Sequence, residues 1–237
     1  MKTHIGTFLS IGSPAVTELA AESGFDWVLI DLEHGCESEA ALPNQLRALR
    51  GSDTIAIVRV SAPHPDLIGR VLDWGAQGIM VPHVNTVAEA RHCVDAAYYP
   101  PQGHRGVSRT VRAYGYGLRL PGDVMPKPII LAQIETAEAV ANAGQIAAVE
   151  GIDALFIGPA DLSFDLKAQQ SPRSYDDCVS SIVKAARDHG KGCGILVRHA
   201  DDKEKLKALG FTWIAMDSDL SLVREGFKRN LAVARAW

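Results

Sequence analysis

No two of the four cysteines, Cys36, Cys93, Cys178 and Cys193, are spaced as a CxxC pair. That removes the signature of a zinc knuckle or a redox couple. With 237 residues, 47% of them apolar, the chain has no need of disulfide staples, so a reducing cytoplasm is the expected compartment. No apolar run approaches the roughly 18 residues of a membrane span, and the N-terminus has no secretion-type apolar stretch. Neither sign of charge dominates, because the net charge is only −4. Nothing therefore draws the chain generally to nucleic acid or to an anionic membrane, and small molecules are the expected partners.

Two further absences bear on chemistry. The turn after the first apolar run, Ile11-Gly12-Ser13-Pro14, fits neither GxGxxG nor GxxxxGK[ST], which counts against an open nucleotide-binding sheet. No lysine lies in any apolar run. Lys127 precedes the fifth run, and Lys167 stands six residues beyond Asp161. A Schiff-base enzyme needs a desolvated lysine in its core, so that route is disfavoured.

What is present is alternation. Eight short apolar runs cover residues 6–10, 27–34, 56–60, 78–84, 129–135, 154–162, 193–197 and 213–218. Each reads as a strand buried on both faces. The stretches between them read as helices. Residues 14–23 start behind Ser13 with Pro14 at the first position and stop at Gly24; 64–74 stop at Gly75; 86–97 start at Thr86; 175–189 stop at Gly190; 201–209 run from Asp201 to Gly210. Eight β-α units in this length predict one closed (β/α)8 TIM barrel, a single domain over residues 1–237. The one long connection, 98–128, is rich in Pro, Gly, Tyr and Arg and is a candidate functional loop.

Barrel enzymes work at the C-terminal ends of their strands, so polar residues there are the candidates. This filter selects Asp31, Glu33, His34, Arg59, His83, Gln133, Glu135, Asp161, Arg198, His199 and Asp217. Glu135 and Asp161 end consecutive runs, and two hard carboxylates plus water suit Mg²⁺ or Mn²⁺. Two helix-capping acids would give the same spacing. Asp31 near His34 could tune an imidazole for proton transfer, and a histidine bound to a loop carbonyl is the plainer alternative. Arg59 inside AIVRV suits an anionic substrate or a developing enolate, or a buried ion pair with Asp31 or Glu33, or both. Gly158-Pro159-Ala160-Asp161 opens a helix and offers amides to a carboxylate. Cys36 and His83 read as bystanders. The three arginines of the loop 100–112 serve either an anion or subunit contacts.

Taken together, GFDWVLIDLEHG (24–35), VLDWGAQGIMVPHVNTVAEAR (71–91), YYPPQGHRGVSR (98–109), LAQIET (131–136) and VEGIDALFIGPADLS (149–163) resemble the HpcH/HpaI family of class II, pyruvate-dependent aldolases. The resemblance spans most of the chain and weakens beyond about Lys167. It implies a divalent cation (Mg²⁺, Mn²⁺ or Co²⁺) on Glu135 and Asp161, chelated by a 2-keto acid. It implies Arg59 at the enolate oxygen, Gln133 positioning substrate or water, the Ala160 and Asp161 amides on the keto-acid carboxylate, and His34 with Asp31 in proton transfer. It also implies a homo-hexamer, a dimer of trimers, with the last helix exchanged between neighbours.

This chain departs from the pattern in carrying neutral Asn85 where some relatives have an acid. Cys36 follows Gly35, Phe8 replaces a substrate-facing tryptophan, and 108–117 is one residue shorter. These differences surround the aldehyde side, so the acceptor stays open. The expected reaction is retro-aldol cleavage of a 4-hydroxy-2-keto acid to pyruvate and an aldehyde, and the reverse addition of pyruvate or hydroxypyruvate. The alternatives are a related enolate enzyme, such as an oxaloacetate decarboxylase, a macrophomate synthase-like enzyme or a CoA-ester lyase, and a non-catalytic barrel.

Overall fold

A computed structural model describes residues 2–119, 125–198 and 203–236. Eight parallel strands close in chain order, β1 to β8, into a barrel. They are β1 (His4–Leu9), β2 (Trp27–Asp31), β3 (Ile55–Arg59), β4 (Gly78–Val81), β5 (Ile129–Ile134), β6 (Ala154–Ile157), β7 (Gly192–Val197) and β8 (Trp213–Ser218). The helices are α1 (Pro14–Glu22), α2 (Leu42–Ala48), α3 (Pro65–Asp73), α4 (Val87–Ala97), α5 (Ala137–Ala147), α6 (Pro159–Ala168), α7 (Tyr175–Asp188), α8 (Lys203–Leu209) and α9 (Asp219–Arg235). The (β/α)8 barrel expected from the alternation is the fold. Among the described residues no helix is long and apolar enough to cross a membrane.

Local chemistry sets the helix starts. Ser13 accepts from the Val16 amide with Pro14 behind it, and Thr86 and Glu89 form a reciprocal capping box. Each strand sends alternate side chains to opposite faces. Outward residues such as Val28, Ile30, Val58 and Ile79 pack under the helices. Inward residues such as Trp27, Leu29, Ile57, Met80, Leu131 and Phe156 fill the barrel. Trp27 crosses edge-on to both Phe156 and Trp213, with centroids 6.1 and 5.4 Å away. Gly6 is required there, because a Cβ would fall inside the Trp27 indole.

The inward series turns polar at the C-terminal mouth. On β2, Leu29 is followed by Asp31, and on β3, Ile57 by Arg59. On β5, Leu131 is followed by Gln133 and then by Glu135, just past the strand. The β2–β3 register sets Asp31 directly beside Arg59. Period-two alternation thus carries a handful of charged groups to one end of an apolar barrel.

Strand 6 departs from the reading of its run. The run 154–162 is apolar almost throughout, but the strand stops at Ile157 and α6 begins at Pro159. Pro159 cannot donate to a sheet ladder and is preorganised for a first helical turn. Asp161 therefore sits in the first turn of α6 rather than at a strand end. The start of the helix placed at Asp201 lies outside the described residues, as does His199.

Candidate active site

Arg59 is the centre of the mouth. Its Nε donates to Asp31 Oδ1 at 2.9 Å and its Nη2 to Asp31 Oδ2 at 2.6 Å, a bidentate fork between side chains 8% and 3% exposed. Nη1 stands 3.0 Å from Glu33 Oε2 without hydrogen-bond geometry, so that contact is coulombic. Asp31 Oδ1 also accepts from the Glu33 and His34 amides. Burial alone would push Asp31 up, but the Arg59 bond and charge and the two amides outweigh it and hold the carboxyl below its ordinary value. Burial likewise favours neutral Arg59, and Asp31, Glu33 and Glu135 overcome that to raise it. Arg59 is thus an ion-pair partner as the strand position allowed, and its guanidinium also stands 5.4 Å over the Phe8 ring.

The imidazole of His34 is exposed and lies 3.8 Å from Glu33 Oε1. The Asp31 carboxylate accepts from the His34 backbone amide as well as from Arg59. The carboxylate closest to the imidazole is therefore Glu33.

Glu135 is 1% exposed and fully engaged. Oε1 accepts from the His83 amide at 2.7 Å, with His83 Nδ1 at 3.2 Å, and Oε2 accepts from Gln133 Nε2 at 2.5 Å. Burial pushes its carboxyl above the ordinary range, and the charges of Asp161 and Glu33 add to this against the lowering by His83. Gln133 Oε1 is buried without a hydrogen-bond partner among the described residues. Gly158 lets β6 pass close by, because a Cβ there would collide with Glu135 Oε2 and crowd Gln133 Nε2.

His83 is the residue that sequence reasoning passed over. Its backbone is left-handed (φ 52), rare for a non-glycine, and this folds the ring back between Glu135 and Glu33. A strand-end histidine was visible in the sequence, but its backbone sign was not.

A cavity of about 330 Å³ opens over these groups. Phe8, Asp31, His34, Arg59, Gln133 and the turn 158–161 all line it, so seven of the eight expected site residues share one pocket. Glu135 does not line it; its carboxylate is held by the His83 amide and by Gln133, which does. Among the described residues no set of three or more His, Cys, Asp or Glu side chains is arranged to hold a metal ion. The donor set expected from the sequence is two carboxylates, Glu135 and Asp161, and the Gln133 amide oxygen beside Glu135 has no partner among the described residues. Hard oxygens in that number fit a small divalent cation that keeps water and substrate ligands. The Glu135 carboxyl, pushed up by burial and further by neighbouring negative charge, is the group such a cation would relieve.

The family model for HpcH/HpaI aldolase/citrate lyase matches residues 4–226. The chain belongs to this family. It is 36% identical over 233 residues to the 5-keto-4-deoxy-D-glucarate aldolase of Salmonella arizonae, covering 96% of this chain and 91% of that protein. Among solved structures it is similar to an HpcH/HpaI aldolase/citrate lyase family protein from Burkholderia cenocepacia, with 31% identity and a TM-score of 0.91 over 99% of this chain and 95% of that one. It is also similar to macrophomate synthase, with 27% identity and a TM-score of 0.83 over 99% and 84%. The chain is a carbon–carbon lyase of the aldolase type, as its motifs implied.

Proposed function

We propose that the chain cleaves 4-hydroxy-2-keto acids into pyruvate and an aldehyde, and adds pyruvate or hydroxypyruvate to aldehydes in reverse. The observation that carries this reading is a buried guanidinium beside an oxygen donor set at the mouth of a family barrel. Glu135 and Asp161 would hold a divalent cation, Mg²⁺, Mn²⁺ or Co²⁺. When bound, such a cation supplies Lewis-acid polarisation of the keto acid's oxygens. Ala160 and Asp161 offer first-turn amides of α6 to the substrate carboxylate. Arg59, fixed by Asp31, presents positive charge where the enolate oxygen develops, and its preorganisation avoids a reorganisation cost. Gln133 orients substrate or water through its free amide oxygen. His34 takes the proton from the 4-hydroxyl, with Asp31 fixing its backbone and Glu33 nearest its ring. Phe8, 6% exposed, walls the pocket against water.

The test is deuterium exchange at the pyruvate methyl, followed by product analysis with a panel of aldehydes and each of the three metals. Exchange that EDTA abolishes and added metal restores is the expected result. Full activity in metal-stripped protein sinks the reading. Oxaloacetate decarboxylation is the second reading, favoured by the likeness to macrophomate synthase, because it reaches the same enolate.

One barrel domain over residues 1–237, working in the cytoplasm on small molecules, fits this chemistry. The assembly that fits is a homo-hexamer, a dimer of trimers, with α9 exchanged between neighbours. What supports it is the exposed apolar stripe of α9 formed by Leu220, Val223, Phe227 and Leu231, of which Phe227 and Leu231 are more than half exposed.

A further inference from the structure

We infer that the His83 imidazole is a positioning residue: together with its own backbone amide, it fixes the Glu135 carboxylate for the divalent cation. This rests on the proposed cation site and goes beyond it, giving a role to a histidine that the sequence read as a bystander.

His83 follows Pro82 at the exit of β4, and α4 is capped three residues later by Thr86. Pro82 has no N–H, so His83 carries the first backbone donor past the strand. That donor goes to Glu135 Oε1 at 2.7 Å, and the next, from Val84, goes to the Gln133 carbonyl at 3.2 Å. The turn is thus laid along the end of β5. At His83 φ is 52, and left-handed backbone under a bulky side chain persists only where its surroundings hold it. Ring and amide of this one residue therefore converge on one oxygen, with Nδ1 3.2 Å from the same Oε1.

The far side of the ring is occupied too. Nε2 stands 3.8 Å from Glu33 Oε1, and Glu33 Oε2 is 3.0 Å from Arg59 Nη1. Each ring nitrogen thus faces a carboxylate, and the imidazole spans the gap between Glu135 and Glu33. Packing does not account for the placement, because the His83 side chain is 56% exposed and buries little apolar surface. What the ring does is complete the grip on Glu135. Gln133 Nε2 holds Oε2, while the amide and ring of His83 hold Oε1. A carboxylate gripped at both oxygens cannot turn about its last bond, so it meets a cation in a set orientation. Groups that orient a ligand in this way raise metal affinity without touching the metal.

Calorimetric Mg²⁺ titration of the full chain reads this role without an activity assay. His83→Gly suits the left-handed backbone, keeps the amide and removes the ring. It should weaken Mg²⁺ binding by about 10–100-fold without lowering the melting temperature of the metal-free protein. The ring is open to solvent, so free imidazole can enter the space it leaves, and hard Mg²⁺ has little affinity for imidazole. Added imidazole should restore binding in His83→Gly and leave the parent unchanged. His83→Asn is the second variant. Asparagine also tolerates left-handed backbone, and its amide nitrogen can take the place of Nδ1, so it should bind Mg²⁺ nearly as the parent does. Equal affinity in His83→Gly and the parent overturns the inference. So does a loss that neither imidazole nor asparagine repairs, which would assign the effect to the backbone. The parent titration keeps the two claims apart. A parent that binds no Mg²⁺ defeats the cation site and the brace with it, whereas a parent that binds, matched by His83→Gly, defeats the brace alone.

Discussion

At the scale of the residue, Arg59 and Gly158 carry the sharpest consequences. Arg59 is both the charge proposed for the substrate and the partner of a buried acid, Asp31, and a half-buried one, Glu33. Its removal leaves Asp31 and Glu33 without their counter-charge. Arg59→Ala should therefore lose about 3–5 kcal/mol of stability as well as activity, because a broken buried pair strands a charge. The two effects come apart in Asp31→Asn combined with Arg59→Met. That double variant should recover most of the stability, measured by urea unfolding, and none of the aldolase activity. Recovery of activity would remove Arg59 from the chemistry. Gly158→Ala tests the other half of the site. The new methyl must push on Glu135 Oε2, so metal affinity should weaken by about 10–100-fold, the usual scale for disturbing the support of a ligand. Metal titration by calorimetry reads this without an activity assay.

At the scale of the element, the loop from β2 to α2 holds a group out of keeping with its place. Glu37 packs against Gly12, whose φ is +79, and both its oxygens are buried with no hydrogen-bond partner among the described residues. Burial pushes the Glu37 carboxyl from 4.5 up to about 7. The folded state then holds a proton that the unfolded chain has released, so stability falls as pH rises from about 4.5 to about 7. Glu37→Gln should flatten that part of the stability–pH curve and make the protein more stable at pH 8 than the parent. An identical slope in the variant would show that Glu37 is not the titrating group. Elements were also where the sequence was most and least legible. All eight strands were visible, because a strand buried on both faces is a short unbroken apolar run, and the polar residues that end β2, β3 and β5 marked the mouth. The end of β6 was half visible: the apolar run continues to Leu162, but Gly158-Pro159 already marked the opening of a helix. The Asp31–Arg59 fork was open to sequence reasoning only as one of two alternatives, because register decides it. The capture of Glu135 by His83 was hidden because it needs a left-handed backbone that histidine seldom adopts.

At the scale of the whole molecule, α9 is a helix with one anchored turn and no cover for the rest. Asp219 and Ser221 are buried, while Phe227 is 71% exposed and Leu231 51%. Leu220, Val223, Phe227 and Leu231 follow at spacings of three and four and line one shallow apolar groove. A helix of 17 residues gains most of its stability from packing such a stripe, and alone it is marginal. A second copy of this chain is the occupant that the proposed hexamer supplies. The double substitution Phe227→Glu and Leu231→Glu puts charge into that stripe without touching the barrel or the anchored turn. Sedimentation should then show a species smaller than the hexamer, with a lower melting temperature and weakened dependence of melting on protein concentration. A variant that sediments like the parent at every concentration would show that this stripe does not hold the assembly together.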